Sequence, residues 1–165
     1  PRETKALRVG RVKITLLWVG KTRNVHLKSL IEDYWKRLEH FCELTLHEVQ
    51  PVKSETAKGR LAVLEGEKLL ARVDASDHVC LLDSAGKGLT TEKFAAWLCK
   101  HRDQSTRNLV FLIGGHEGLS ESVRRRADSC LSLSPLTFTH EMARCLLLEQ
   151  IYRAFNVIQG FSYHK

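Results

Sequence analysis

The sequence predicts an α/β domain: a mostly parallel sheet with helices on both faces. Three observations predict it. Short apolar segments rich in β-branched residues alternate with segments whose apolar residues recur every three or four positions. The strongest apolar segment, NLVFLI at 108–113, is hydrophobic throughout, as a strand covered on both faces is. The chain has 165 residues, 43% hydrophobic and 27% charged, which suits one folded domain with a single core.

Each element has its own signature. KITLLWVG at 13–20 is a short apolar run that stops at glycine, and reads as a strand. Over 25–41 the residues Leu27, Leu30, Ile31, Tyr34, Trp35, Leu38 and Phe41 form one face of an amphipathic helix. ELTLHEV at 43–49 alternates like a strand, and Pro51 ends the pattern. Residues 55–72 read as a helix, weakened by Gly59 and Gly66. HVCLLD at 78–83 reads as a buried strand followed by a turn, SAGKG. TTEKFAAWLCKH at 90–101 is a helix with a threonine cap candidate. Strand 108–113 runs into GGHEG, a helix follows over about 120–127, and CLSLS at 130–134 is a short strand. The last helix spans 140–158, with Thr139 as its cap candidate.

The chain reads as a single domain over 12–165, preceded by a loose basic tail at 1–11. Its net charge of +7 favours an anionic partner such as nucleic acid. Five cysteines are present, none in a C-x-x-C pair or at zinc-ligand spacing, so they read as reduced, mostly buried thiols with no metal. No apolar run reaches the roughly 20 residues that span a bilayer, and no signal-peptide pattern occurs.

Ligands of open α/β sheets bind beyond the carboxyl ends of strands. Three such ends stand out: LLDSAGKG at 81–88, LIGGHEG at 112–118 and LSLSPLTF at 131–138. Their glycines allow close backbone approach, but neither the dinucleotide nor the P-loop spacing is present. Ser132, Ser134, Thr137 and Thr139 surround Pro135 with hydroxyls and main-chain donors. On the last helix His140 and Arg144 share a face, and Glu149 and Arg153 are spaced as an i,i+4 ion pair. Tyr163 and His164, in the terminal FSYHK, have the chemistry for base stacking and proton transfer.

In their order, FLIGGHEGLS, LSLSPLTFTHEMARCLLLEQIYRAF and GFSYHK resemble the ribosomal large-subunit methyltransferase H family of the SPOUT class. The resemblance extends over about 13–165. It implies a C-terminal trefoil knot, S-adenosylmethionine as methyl donor, and a homodimer whose sites are completed by the other subunit. The implied substrate is the large-subunit rRNA of the assembled ribosome, methylated at N3 of a pseudouridine, in the cytoplasm or in an organelle. Matched residue by residue, the donor pocket comprises Leu82 beside Asp83, Gly114, Leu133, Ser134, Pro135, Leu136, Thr137 and Phe138. The catalytic or RNA-facing set comprises His140, Arg144, Arg153, Tyr163 and His164. Within it, His140 and His164 are the candidate bases for the N3 proton, and Arg144 or Arg153 would stabilise charge on the base carbonyls. His116 departs from the small residue or proline that the family often carries there.

The run Arg124, Arg125 and Arg126 reads either as a phosphate contact or as a solvated helix face. Two other functions fit the same residues: a non-catalytic RNA-binding factor, and a methyltransferase of the same class acting on another RNA.

Overall fold

A computed structural model describes residues 11–53, 58–104 and 106–161, with the side chain of residue 58 excepted. The element order is β1 (Lys13–Val19), α1 (Val25–Leu38), β2 (Glu43–Val49), α2 (Lys58–Leu70), β3 (His78–Gly88), α3 (Thr91–Asp103), β4 (Leu109–Ile113), α4 (Glu121–Arg126), β5 (Ser129–Ser132) and α5 (His140–Ile158). The five strands form one sheet in the order β2-β1-β4-β3-β5, and every pairing is parallel. The expected mostly parallel sheet is therefore parallel throughout.

Side-chain alternation along β1 and β4 generates two cores. Ile14, Leu16 and Trp18 of β1 and Leu109, Phe111 and Ile113 of β4 pack on one face, against α1, α3 and α5. Leu17 and Val19 of β1 and Val110 and Leu112 of β4 pack on the other, where Leu69 of α2 and Val123 of α4 meet them. Crossovers toward the β2 edge carry α1 and α3, and crossovers toward the β5 edge carry α2 and α4. A constant crossover hand requires this division of helices between the faces.

The two threonine caps anticipated from sequence are in place: Thr90 accepts from Lys93 N–H and Thr139 from Met142 N–H. Ser120 caps α4 in the same way, accepting from Val123 N–H. The first helix stops three residues short of Phe41, because the chain turns through residues 39–42 to pair Glu43 N–H with Val12 O at 3.1 Å. One expectation is overturned: SAGKG is not a turn after β3 but its continuation. The strand is irregular after Leu82 and resumes pairing with β5 at Lys87–Leu131 and Gly88–Ser132. Gly86 permits this. A Cβ there would lie 2.6 Å from the backbone carbon of Leu131, so only glycine lets the two strands lie this close. Of the basic tail, only Arg11 is described; it donates to His40 O at 3.1 Å.

All five cysteines are free thiols, with Cys42, Cys80 and Cys145 buried. Among the described residues no helix is long and apolar enough to cross a membrane.

Candidate active site

Because every strand runs the same way, the carboxyl ends of β3, β4 and β5 lie side by side. A cavity of about 570 Å³ opens there, within the size range of small-molecule sites. It brings together the three segments singled out from sequence. Leu82 and Asp83 contribute from β3, Gly114 from the loop after β4, and Leu133, Ser134, Leu136, Thr137 and Phe138 from the segment after β5. His140, the first residue of α5, closes one side. Of the expected donor-pocket residues only Pro135 is not part of the lining.

The loops that line the cavity are held by their own hydrogen bonds. Asp83 Oδ1 accepts Ala85 N–H at 2.9 Å, and its Oδ2 pairs with Arg124 at 2.7 Å. Ser132 Oγ donates to Ser134 O at 2.8 Å, and Ser134 Oγ accepts Leu136 N–H at 3.0 Å. After β4, Gly118 N–H bonds to Gly115 O at 3.1 Å, with Gly118 at φ 80°, a left-handed conformation that favours glycine. A Cβ on Gly114 would sit 2.9 Å from the Leu119 side chain and 3.0 Å from Gly118 O. The second loop is therefore a tight turn whose main chain forms the cavity wall.

His140 is half-buried at the cavity edge. Burial and the Arg144 guanidinium hold its imidazole below the usual histidine range, against the opposing pull of Glu141 and Glu65. It is therefore mostly neutral at pH 7, the form that can accept a proton. Glu141 points the other way. It accepts the N–H groups of Arg23 and Asn24 at 2.9 and 3.1 Å and so ties the start of α5 to the start of α1.

The structure does not bring the rest of the expected catalytic set to this cavity. Arg144 is fully buried. Its guanidinium donates to Val19 O at 2.7 Å and Thr22 Oγ1 at 2.9 Å, and lies 4.8 Å from the centre of the Trp18 ring. Within one chain it fastens α5 to the end of β1 and does not line the cavity. Arg153 lies thirteen residues beyond His140, roughly 20 Å along the helix axis. It pairs with Glu149 at 2.6 Å and does not line the cavity. Tyr163 and His164 lie outside the described residues.

The arginine run is also committed internally. Arg124 pairs with Asp83, Arg125 with Glu121, and Arg126 with Asp128. Arg126 further donates to Asp74 O and Asp77 O at 2.9 Å each.

Several lining residues had no weight in the sequence reading, among them Ser84, Ile113, Leu119 and Ala143. His116 does line the cavity, with its ring largely exposed and 3.4 Å from Glu117. A strand-end apolar residue such as Ile113 carries no signal of its own in a sequence.

The parallel sheet and the cavity at its three strand ends define a small-molecule-binding α/β domain. The family model described as predicted SPOUT methyltransferase matches residues 12–164. The chain belongs to this SPOUT methyltransferase family. It is 42% identical to a ribosomal RNA large subunit methyltransferase H of Trichlorobacter lovleyi, covering 93% of this chain and 99% of the relative. It is also similar to proteins of the same name from Geobacter metallireducens, at 40% identity with 93% and 99% covered, and from Clostridium perfringens, at 36% with 93% and 100% covered.

Proposed function

We propose that this chain transfers a methyl group from S-adenosylmethionine to N3 of a pseudouridine in the large-subunit rRNA of the assembled ribosome. One observation carries the reading: Leu82, Gly114 and five residues of the segment 133–138 line a single cavity that ends at His140. The names of the relatives, all large-subunit rRNA methyltransferases, support the substrate.

The residues present suit the donor. Leu82, Ile113, Leu133 and Phe138 offer apolar surface to a nucleoside, while Ser84, Ser132 and Thr137 offer hydroxyls. The main chain at Gly114 can approach a ligand with no side chain between them. Bound there, S-adenosylmethionine supplies an activated methyl carbon and a neutral thioether leaving group. The chain's own task is then alignment and proton removal. In its neutral form His140 takes the N3 proton as the N3–methyl bond forms and the methyl–sulfur bond breaks. Tyr163 and His164 are proposed to complete the site by stacking on the base and by sharing the proton. Arg153, distant in one chain, is proposed to act across a homodimer. The exposed apolar side chains of Leu136, Phe138 and Met142, near the cavity mouth, support coverage by a second chain. The family's C-terminal trefoil knot is proposed for the segment from β3 onward, and the cytoplasm as the working compartment. The domain is proposed to span 12–165, with 1–11 as a tail.

The test is to incubate the protein and labelled donor with intact ribosomes, free large subunits and naked rRNA, and to map the modified base. Label at N3 of one pseudouridine, from intact ribosomes only, is the expected result. Label on tRNA or on naked rRNA alone would refute the substrate, and donor binding without transfer would favour an RNA-binding factor.

A further inference from the structure

Helix α2 lies directly beneath the loop after β4, and two adjacent residues make the fit. A Cβ at Gly66 would fall 2.2 Å from Ser120 Oγ and 3.1 Å from Val123 Cγ2, so glycine is what lets α2 approach the start of α4. Beside it, Glu65 is only 2% exposed. Its Oε1 accepts Val52 N–H at 3.2 Å, whereas Oε2 is buried and has no hydrogen-bond partner among the described residues. Among the described residues no basic side chain forms an ion pair with it. Oε2 lies 2.9 Å from the position a Cβ of Gly115 would take, and Gly115 is cavity wall.

Three other carboxylates stand near the cavity, and each has a partner: Glu141 accepts the N–H groups of Arg23 and Asn24. Asp83 is held by Arg124 at 2.7 Å, and Glu117 lies 3.4 Å from His116. Of these carboxylates, Glu65 is the one that is buried and, among the described residues, forms no ion pair. A buried carboxylate oxygen without a donor costs free energy, so its presence calls for something that offsets the cost. A cation on the far side of Gly115 would do so.

We propose that Glu65 sets donor specificity: its carboxylate, placed behind Gly115, favours the cationic sulfonium donor over the neutral thioether product. The inference rests on the reading that S-adenosylmethionine occupies this cavity. Donor and product differ by one methyl group and one positive charge. The ratio of their affinities therefore isolates the charge of Glu65 from any general effect on cavity shape. Unit charges roughly 10 Å apart at an effective dielectric constant of about 20 shift that ratio about tenfold.

The experiment is calorimetric titration of the intact protein with S-adenosylmethionine and with S-adenosylhomocysteine, in wild type, Glu65→Gln and Glu65→Asp. In Glu65→Gln the donor-to-product affinity ratio should fall about tenfold, and in Glu65→Asp it should be largely retained. Equal weakening of both ligands in Glu65→Gln, or no change in either, would overturn the proposal. Should Glu65→Gln fail to fold, the wild type decides. An analogue with a protonated amine in place of the sulfonium must bind more tightly than the thioether, and equal or weaker binding overturns the proposal. If wild type binds none of these nucleosides, the donor-site reading itself fails and the inference falls with it. A changed ratio alone separates the two failures.

Discussion

Replacing Arg144 by methionine tests whether this residue holds the structure together or faces the substrate. The wild-type guanidinium makes hydrogen bonds of 2.7 Å to Val19 O and 2.9 Å to Thr22 Oγ1, and lies over Trp18. Bonds to a charged group contribute about 1.5–3 kcal/mol each, and a desolvated cation–π contact about 2 kcal/mol. Burial of the guanidinium, whose Nε has no partner, offsets several kcal/mol of that gain. In Arg144→Met the Val19 carbonyl and the Thr22 hydroxyl both lose this donor. We expect a net loss of about 3 kcal/mol, which for a chain of this size lowers Tm by roughly 6–12 °C. Arg144→Lys keeps the charge but cannot span both acceptors, so it should lose about half as much. Thermal and denaturant unfolding, run beside donor titration, provide the assay. An Arg144→Met protein within about 0.5 kcal/mol of wild-type stability yet inactive in methyl transfer would refute the reasoning and return Arg144 to the chemistry.

The acid limb of the single-turnover rate should have a midpoint below 6.5, because burial and Arg144 favour neutral His140; a midpoint at or above 7, or a profile unchanged in His140→Gln, would exclude that role. At the opposite end of β3, His101 is buried against His78 and Trp97, and burial lowers its imidazole to about 4. Between pH 6.5 and about 4 the unfolded chain thus binds more protons, so stability should fall as pH falls through that window, by up to about 3 kcal/mol from this residue. Denaturant midpoints at pH 7 and 4.5 should show a smaller difference in His101→Gln than in wild type. Gly114→Ala forces the new methyl against Leu119 and Gly118 O, and should cost about 1–3 kcal/mol and weaken donor binding. Arg126→Ala, which releases two carbonyls and Asp128, should cost about 1–3 kcal/mol, whereas Arg125→Ala should stay within about 0.5 kcal/mol; equal losses in unfolding experiments would contradict this.

The bounds of α5 were legible in the sequence because Thr139 caps its start and its apolar stripe is unbroken to Ile158. Strand β4 was legible because both its faces are covered, so no polar residue interrupts it. The three strand ends converge on one cavity because parallel strands bring their carboxyl ends together, a rule that needs no side-chain detail. What stayed hidden depends on partners distant in the chain. SAGKG looked like a turn because its glycines favour one locally, but its conformation is set by β5, more than forty residues on. Arg144 read as a catalytic or RNA-facing cation one turn past His140, and only the neighbourhood of Trp18 and Thr22 shows that it is buried. Gly66 looked like a weak point in a helix, whereas it is the contact that lets α2 reach Ser120 and places Glu65 behind the loop.

The cavity at the ends of β3, β4 and β5 is proposed as the donor site. Amide hydrogen exchange with and without saturating S-adenosylmethionine tests it most directly. Exchange should slow in three separate segments, residues 82–85, 114–119 and 132–140, with little change elsewhere among the described residues. Tight donor binding that leaves those three segments unprotected, or protects a different face of the sheet, would contradict it.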